Sequence, residues 1–272
     1  MNVEAAEARQ VPSGREVITG LWSFWSRGRP VERGCYVIGA VLFAAGLFHL
    51  GVFAVDGGPW LGPVSWRKPV TFGLSFGLTL VTIAWVACFL PLGERARTRL
   101  LGVFAAACVL ETTLVTLQAW RHVPSHFNNE TALDTAITRV LAVGGGTLVV
   151  IIVVLTVATF RPDPAVAPSM RLALRTGFVA LDLAMLSGAA MIAKGMVTVV
   201  AGDQQAAYTV AGALKPAHAV TMHAILVLPA LAWLLTFTRL PEPRRVTTVA
   251  AVSTAYGLVA VVVIAISLAR FL

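Results

Sequence analysis

The sequence predicts an all-α bundle of seven transmembrane helices. Of its 272 residues, 57% are hydrophobic and only 12% are charged, and the mean hydropathy is +0.81. A soluble domain carries about 25% charged residues, roughly twice as many. The apolar residues fall in seven runs of about 20, the length that a helix needs to cross a hydrocarbon core of about 30 Å. These runs and their connections take up nearly the whole chain, so no separate soluble domain is expected.

Residues 1–34 form the first predicted unit, a cytoplasmic segment ahead of the seven-helix domain at 35–272. The segment lacks the continuous apolar run of a cleavable signal peptide. It does contain apolar side chains at helical spacing, flanked by arginines: Val17, Ile18, Leu21, Trp22 and Trp25. This pattern is typical of a short amphipathic helix that lies on the inner membrane surface.

The distribution of Lys and Arg predicts how the seven spans are oriented. To within a few residues, the spans are expected at 35–55, 69–91, 99–120, 135–160, 174–200, 217–238 and 247–269. Fourteen Lys and Arg lie on the side of the amino terminus and six on the other, with Lys194 inside a span. Because cytoplasmic loops carry the excess of these residues, the amino terminus is predicted inside and the carboxyl terminus outside.

The predicted location is the bacterial plasma (inner) membrane, and the net charge of +8 reflects topology and not a nucleic-acid partner.

Glycines within the spans indicate where helices come close together. Gly73 and Gly77 lie four residues apart in the second span, and the fourth span contains the triplet 144–146. Small residues let the backbones of transmembrane helices approach each other. We therefore expect close helix contacts at both places.

The five histidines all map to the predicted outer half of the chain. At 1.5 Å per residue, His49 and His223 both lie roughly 10 Å below the outer ends of their helices. His122 and His126 lie in the loop after the third span, and His218 opens the sixth span. Neutral imidazole binds haem iron and transition metals. His49, His126, His218 and His223 are therefore the candidate metal ligands, with His49 and His223 as the candidate haem ligands.

Three ionisable side chains lie within spans: Lys194 at the depth of the two deep histidines, Glu111 somewhat deeper, and Asp182 near the middle of the fifth span. Inserting such a charge costs about 2.5–3.5 kcal/mol, and these groups by default mark function. Glu111, Gln118 and His122 share one face of the third span because seven and four residues separate them. The three ionisable residues are the candidate catalytic or proton-moving groups; the alternative is a structural ion pair between Glu111 and Lys194.

Lysine stands directly before proline at the start of two inward-going spans, at Lys68 and Lys215. Proline suits the first turn of a helix, and a helix amino terminus attracts anions. Together with Arg67 and Arg121, these ends are candidates to hold a phosphate, a carboxylate or the propionates of a haem. The alternative is that they are only helix starts with lipid-facing charge.

Three stretches on the predicted outer side occur together: Trp-Arg-Lys-Pro at 66–69, Ser-His-Phe-Asn at 125–128, and the histidine pair at 218–223, which Leu228-Pro229 follows. They resemble uncharacterised bacterial multipass membrane proteins in which a similar Ser-His-Phe-Asn segment and a late histidine-containing helix recur. The resemblance implies that the outer segments form one site, and it transfers no activity.

Three functions are open at this point. The leading hypothesis is a protein that binds haem or a transition metal for redox chemistry, with Arg67 and Lys68 holding an acidic group of the cofactor. Whether the chain is an enzyme is undecided, and a membrane oxidoreductase is the form considered. The alternatives are a transporter or channel that uses the three ionisable residues of the spans, and a metal-dependent lipid-modifying enzyme at the outer leaflet. The partners considered are membrane lipid, a quinone or other small hydrophobic substrate, and a second copy of the chain.

Overall fold

The computed structural model describes residues 14–209 and 212–272, and this part of the chain is helical without strands. Seven of its helices are long and apolar enough to cross a membrane, which confirms the predicted fold class. The helices are α1 (Gly14–Ser26), α2 (Pro30–Asp56), α3 (Arg67–Ala87), α4 (Glu94–Trp120), α5 (Ala132–Thr159), α6 (Pro168–Val200), α7 (Gln204–Ala207), α8 (Lys215–Leu235) and α9 (Glu242–Phe271).

All seven long helices begin before the apolar runs that predicted them. The first turns of α2, α4 and α9 contain Glu32, Glu94 and Glu242, and α2, α6 and α9 also have proline at their start. Acidic groups and proline are favoured in a first turn, although neither adds to hydropathy. We call the end at which α2 ends and α3 begins the predicted outer end, and the opposite end the predicted inner end. The orientation itself stays a prediction.

The long helices form a ring with two outer members. Each helix of the ring contacts the next: α3 packs on α4, α4 on α5, α5 on α6, and α6 on α8. A smaller contact between α8 and α3 closes the ring. Outside it, α2 packs on α3 and α4, whereas α9 packs on α8 and α6. One apolar core fills the ring, and its largest fully buried side chains include Leu80, Ile83, Phe104, Leu155 and Phe178.

Glycines bring α2 and α3 to backbone contact. A Cβ atom added at Gly73 would lie 2.6 Å from the backbone nitrogen of Gly46, and one added at Gly77 would lie 2.6 Å from the carbonyl oxygen of Gly39. Real Cβ atoms do not approach other atoms so closely, so only glycine fits at these positions. The close contact predicted for the second span is confirmed.

Helix α1 docks on the predicted inner end of the ring. The ring of Phe24 lies 5.8 Å from those of Trp85 in α3 and Trp233 in α8, measured between centroids. Other large apolar side chains of α1, among them Ile18 and Trp22, are exposed. A helix therefore forms where the amphipathic pattern predicts one, and its position on the membrane surface stays a prediction. Residues 1–13 of the predicted cytoplasmic segment lie outside the described residues.

A buried ion pair links three helices at the predicted inner end. Nη1 of Arg97 in α4 lies 3.4 Å from Oε1 of Glu32 in α2, and the two residues are only 3% and 1% exposed. The guanidinium also donates hydrogen bonds to the carbonyl oxygens of Ala87 and, at 3.0 Å, Leu90. These hydrogen bonds add to the backbone bonds that the same carbonyls accept from Leu90 and Leu92, so Arg97 ties the end of α3 to α4. From the sequence alone, Arg97 was only one of the arginines that determine topology.

Candidate functional site

The loop between α4 and α5 contributes to a partly buried polar cluster at the predicted outer end. Lys68 at the start of α3 donates a hydrogen bond to Oγ of Ser125 at 3.3 Å, and this oxygen lies 2.9 Å from Nδ1 of His126. Ser125 is buried, and the His126 ring is bordered by those of Phe72 and Phe127. We call Lys68, Ser125 and His126 the outer polar cluster. It unites two of the three stretches in which the resemblance was found.

Asp134 at the start of α5 holds this loop in place. Its carboxylate accepts hydrogen bonds from Gln118 at 2.9 Å, Arg121 at 2.6 Å and Thr131 at 2.6 Å. Gln118 and Asp134 are both buried. The polar face predicted on α4 therefore reaches the loop. There Gln118 and Arg121 anchor the loop through their hydrogen bonds to Asp134. The sequence pattern did not single out Asp134. This residue lies in the first turn of α5, where its backbone N–H donates to the side chain of the N-cap residue Thr131.

Burial and the nearby charge of Lys68 lower the pKa of His126 from 6.5 to about 4. An unfolded chain would bind a proton at this histidine near pH 6.5, whereas the folded protein resists it until pH 4. We therefore expect the free energy of unfolding to decrease as the pH falls through this range. Unfolding of the detergent-purified protein at several pH values measures it. His126→Gln should flatten the pH dependence, and an unchanged slope in this variant would contradict the assignment.

Both ring nitrogens of His49 are engaged in hydrogen bonds. Its Nδ1 lies 2.7 Å from the carbonyl oxygen of Ala45, and the indole nitrogen of Trp120 donates to its Nε2 at 3.1 Å. Because an indole N–H can only donate, Nε2 accepts and Nδ1 carries the proton. His49 is 6% exposed, and its ring also stacks on Trp66. The lone pair that a metal would need is thus already used.

The two candidate ligands on α8, His218 and His223, point in different directions. His223 is exposed, and its Nδ1 lies 2.6 Å from the carbonyl oxygen of Ala219 in the preceding turn. His218 faces α6, where its Nδ1 lies 2.8 Å from the carbonyl oxygen of Ala184 and 3.2 Å from Oγ of Ser187. Within residues 14–209 and 212–272, no three His, Cys, Asp or Glu side chains converge in a way that could hold a metal ion. The predicted ligands are therefore not assembled into one metal site.

Glu111 belongs to α4, and its side chain is buried against α5; the residue is only 4% exposed. Its Oε1 packs against Gly144 so closely that a Cβ atom there would collide with it. Among the described residues this oxygen has no hydrogen-bond partner. The close contact expected at the glycine triplet is therefore present at Gly144, whereas a Cβ at Gly145 or Gly146 would meet nothing within 4 Å.

Asp182 and Lys194 occupy separate places on α6. Asp182 is half-buried and interacts with Thr156 of α5, but its Oδ1 has no hydrogen-bond partner in the described part of the chain. Lys194 donates a hydrogen bond to the carbonyl oxygen of Phe271, and its Nζ lies 4.1 Å from the centroid of that ring. Lys194 thus joins α6 to the end of α9, and the alternative of an ion pair with Glu111 is not realised.

Arg67 and Lys68 begin α3, and Lys215 begins α8, so three cations lie at the predicted outer end. The charges of Arg67 and Lys215 both act on Lys68. Arg67 donates a hydrogen bond to the carbonyl oxygen of Trp60 at 3.2 Å. Arg121, which the sequence grouped with these cations, instead pairs with Asp134.

The structure thus separates the predicted site residues into two sets. The outer polar cluster and the neighbouring cations lie at the predicted outer end, whereas Glu111 and Asp182 lie within the bundle, each with a buried oxygen that lacks a partner among the described residues. Comparison of the chain with family models, curated proteins and solved structures finds no match.

Proposed function

We propose that this chain moves protons across the membrane and that Glu111 carries them. The observation on which the proposal rests is the buried Oε1 of Glu111, which no described residue contacts through a hydrogen bond. Burying a carboxylate with so few polar partners is costly, and the described partner of this carboxyl group is the backbone of Gly145. Acidic side chains in such positions within transmembrane helices are typical of proton relays.

The charges around Glu111 support the same function. None of the ion pairs in the described part of the chain includes Glu111 or Asp182. Lys194, the basic residue inside a predicted span, is bound to the carbonyl oxygen of Phe271, and Arg121 pairs with Asp134. With no cation to hold either acid permanently in its charged form, both can take up and release a proton. Asp182 is the second carrier in this proposal.

Proton flux into liposomes tests the proposal. The purified protein is reconstituted with a pH-sensitive dye inside, and a potassium diffusion potential set by valinomycin drives proton entry. We expect Glu111→Gln to reduce the flux at least about tenfold, which corresponds to about 1.4 kcal/mol in the barrier. The glutamine keeps the size of the side chain but cannot exchange a proton. Asp182→Asn should reduce the flux as well.

Glu130→Gln is the matched control, because Glu130 is an exposed acid in the loop before α5. This variant should conduct like the unmodified protein. Liposomes that contain the unmodified protein and acidify no faster than empty liposomes would overturn the proposal. So would a Glu111→Gln variant with undiminished flux.

Binding of haem or a transition metal remains a prediction of the sequence. The residues chosen for it fit poorly, since the ring nitrogens of His49 are bonded to Ala45 and Trp120 and His223 lies on the exposed side of α8. A visible absorption spectrum with metal analysis of the purified protein tests it.

A location in a bacterial plasma membrane, with the amino terminus inside, is also proposed here on the basis of the arginine distribution alone.

A further inference from the structure

We propose that the predicted outer end of the bundle binds a phosphate group between Arg67, Lys68 and Lys215. The three side chains stand at the amino termini of α3 and α8, which begin at the same end of the bundle and contact each other. This site is separate from Glu111 and does not depend on proton transport. It gives a role to the lysine–proline starts that the proposed function leaves unexplained.

The three cations stand at the starts of two contacting helices and act on one another electrostatically. Arg67 and Lys215 both act electrostatically on Lys68, and Arg67 acts on Lys215. No ion pair within the described residues includes any of the three. Like charges at short range repel each other, most strongly where water is partly excluded. An anion between them would relieve this repulsion.

Both helix ends add attraction for an anion. Neither α3 nor α8 has a side chain that caps its first turn, and each helix is 21 residues long. The positive ends of both helix dipoles therefore lie at this end of the bundle, although the N–H groups of Lys68 and Val70 already donate to the carbonyl oxygens of Ser65 and Trp66. Independently, Oγ of Ser65, two residues before α3, is buried without a hydrogen-bond partner in the described chain, in a residue that is only 7% exposed.

The side chains are arranged so that a ligand can reach them. Lys215 is exposed, whereas Arg67 and Lys68 are half-buried. The hydrogen bond to Ser125 at 3.3 Å orients the ammonium of Lys68. The outer polar cluster thus orients one of the three cations, and Lys215 remains free to move onto a ligand.

The number of charges favours phosphate over carboxylate. A phosphate monoester carries about −1.5 to −2 charges at pH 7 and three strong acceptor oxygens, whereas a carboxylate carries one charge. Three cations and two helix ends match the larger charge better. At this end of a membrane-spanning bundle the phosphate can belong to a lipid headgroup or be free in solution. The chemistry of binding is the same in both cases.

Thermal unfolding of the detergent-purified full chain tests the site. The protein is titrated separately with inorganic phosphate and with a short-chain phosphatidic acid, and phosphatidylcholine serves as the lipid control. We expect stabilisation that saturates, and Lys215→Gln should shift the half-saturating concentration upward about tenfold, as expected for the loss of one charge-assisted contact. Arg139→Gln is the matched control, because Arg139 is an exposed cation on α5 and should leave the titration unchanged.

The two ligands distinguish the source of the phosphate. Stabilisation by inorganic phosphate identifies a site for free phosphate, whereas stabilisation by phosphatidic acid alone identifies a headgroup site. The proposal is overturned if neither ligand stabilises the protein more than phosphatidylcholine does. It is also overturned if Lys215→Gln and Arg139→Gln weaken binding equally, because the effect would then reflect net charge.

Discussion

Replacing Arg97 by glutamine is expected to lower the free energy of unfolding by about 3–5 kcal/mol, the usual cost when one partner of a buried ion pair is removed. Glu32 would stay buried, with only the half-exposed Arg29, at 3.2 Å, to balance its charge. The carbonyl oxygens of Ala87 and Leu90 would also lose the guanidinium that they share. Unfolding in mixed detergent micelles, monitored by circular dichroism, measures the difference.

Arg95→Gln is the control for this experiment. Arg95 is exposed and stands with Arg97 in the first turn of α4, so its loss removes the same charge from the same turn. Its replacement should change the free energy of unfolding by no more than about 0.5 kcal/mol. Adding Glu32→Gln to Arg97→Gln should recover part of the lost stability, because the buried charge is then gone. Equal effects of Arg97→Gln and Arg95→Gln would show that the buried ion pair contributes nothing.

Replacing Gly73 by alanine is expected to destabilise the protein by about 1–3 kcal/mol, the typical cost of overpacking a close contact. The added methyl group would lie 2.6 Å from the backbone nitrogen of Gly46 and 2.7 Å from its Cα atom. Backbone atoms cannot rotate away as the end of a long side chain can, so α2 and α3 would have to move apart. The same unfolding measurement in detergent applies.

Gly51→Ala provides the opposite expectation on α2. A Cβ atom at Gly51 would meet no heavy atom within 4 Å. Alanine is more favourable than glycine inside a helix by about 1 kcal/mol, so this variant should be as stable as the parent or more stable. If Gly73→Ala were also neutral, the close approach of α2 and α3 would not be required for stability.

The number and order of the long helices could be predicted from the sequence because both depend on properties of single segments. A run of about 20 apolar residues is long enough to span a membrane whatever surrounds it. The contact at Gly73 was also foreseeable, since small residues at helical spacing have few other uses in a span. Helix starts were predicted too late because Glu32, Glu94 and Glu242 add no hydropathy to the turns that they begin.

The partners of the candidate residues could not be predicted in the same way. His49 and His223 were paired because of equal depth, but depth does not specify the rotation of a helix about its axis, and His223 is exposed. Lys194 donates to the backbone carbonyl oxygen of Phe271. Because every residue has such a carbonyl, the sequence does not mark this partner. Glu32 and Arg97 are 65 residues apart in the chain, so no local pattern connects them.

The ion pair between Glu32 and Arg97 also has a consequence for how the protein is made. Translation proceeds from the amino terminus, so α2 and α3 are complete before Arg97 has been synthesised. Until then Glu32 can pair only with Arg29 among its described partners, and the carbonyl oxygens of Ala87 and Leu90 lack the hydrogen bonds of the Arg97 guanidinium. The first two spans therefore cannot complete this polar contact before the third span arrives. In biosynthesis, α2, α3 and the start of α4 form the smallest unit that can complete this ion pair and its hydrogen bonds.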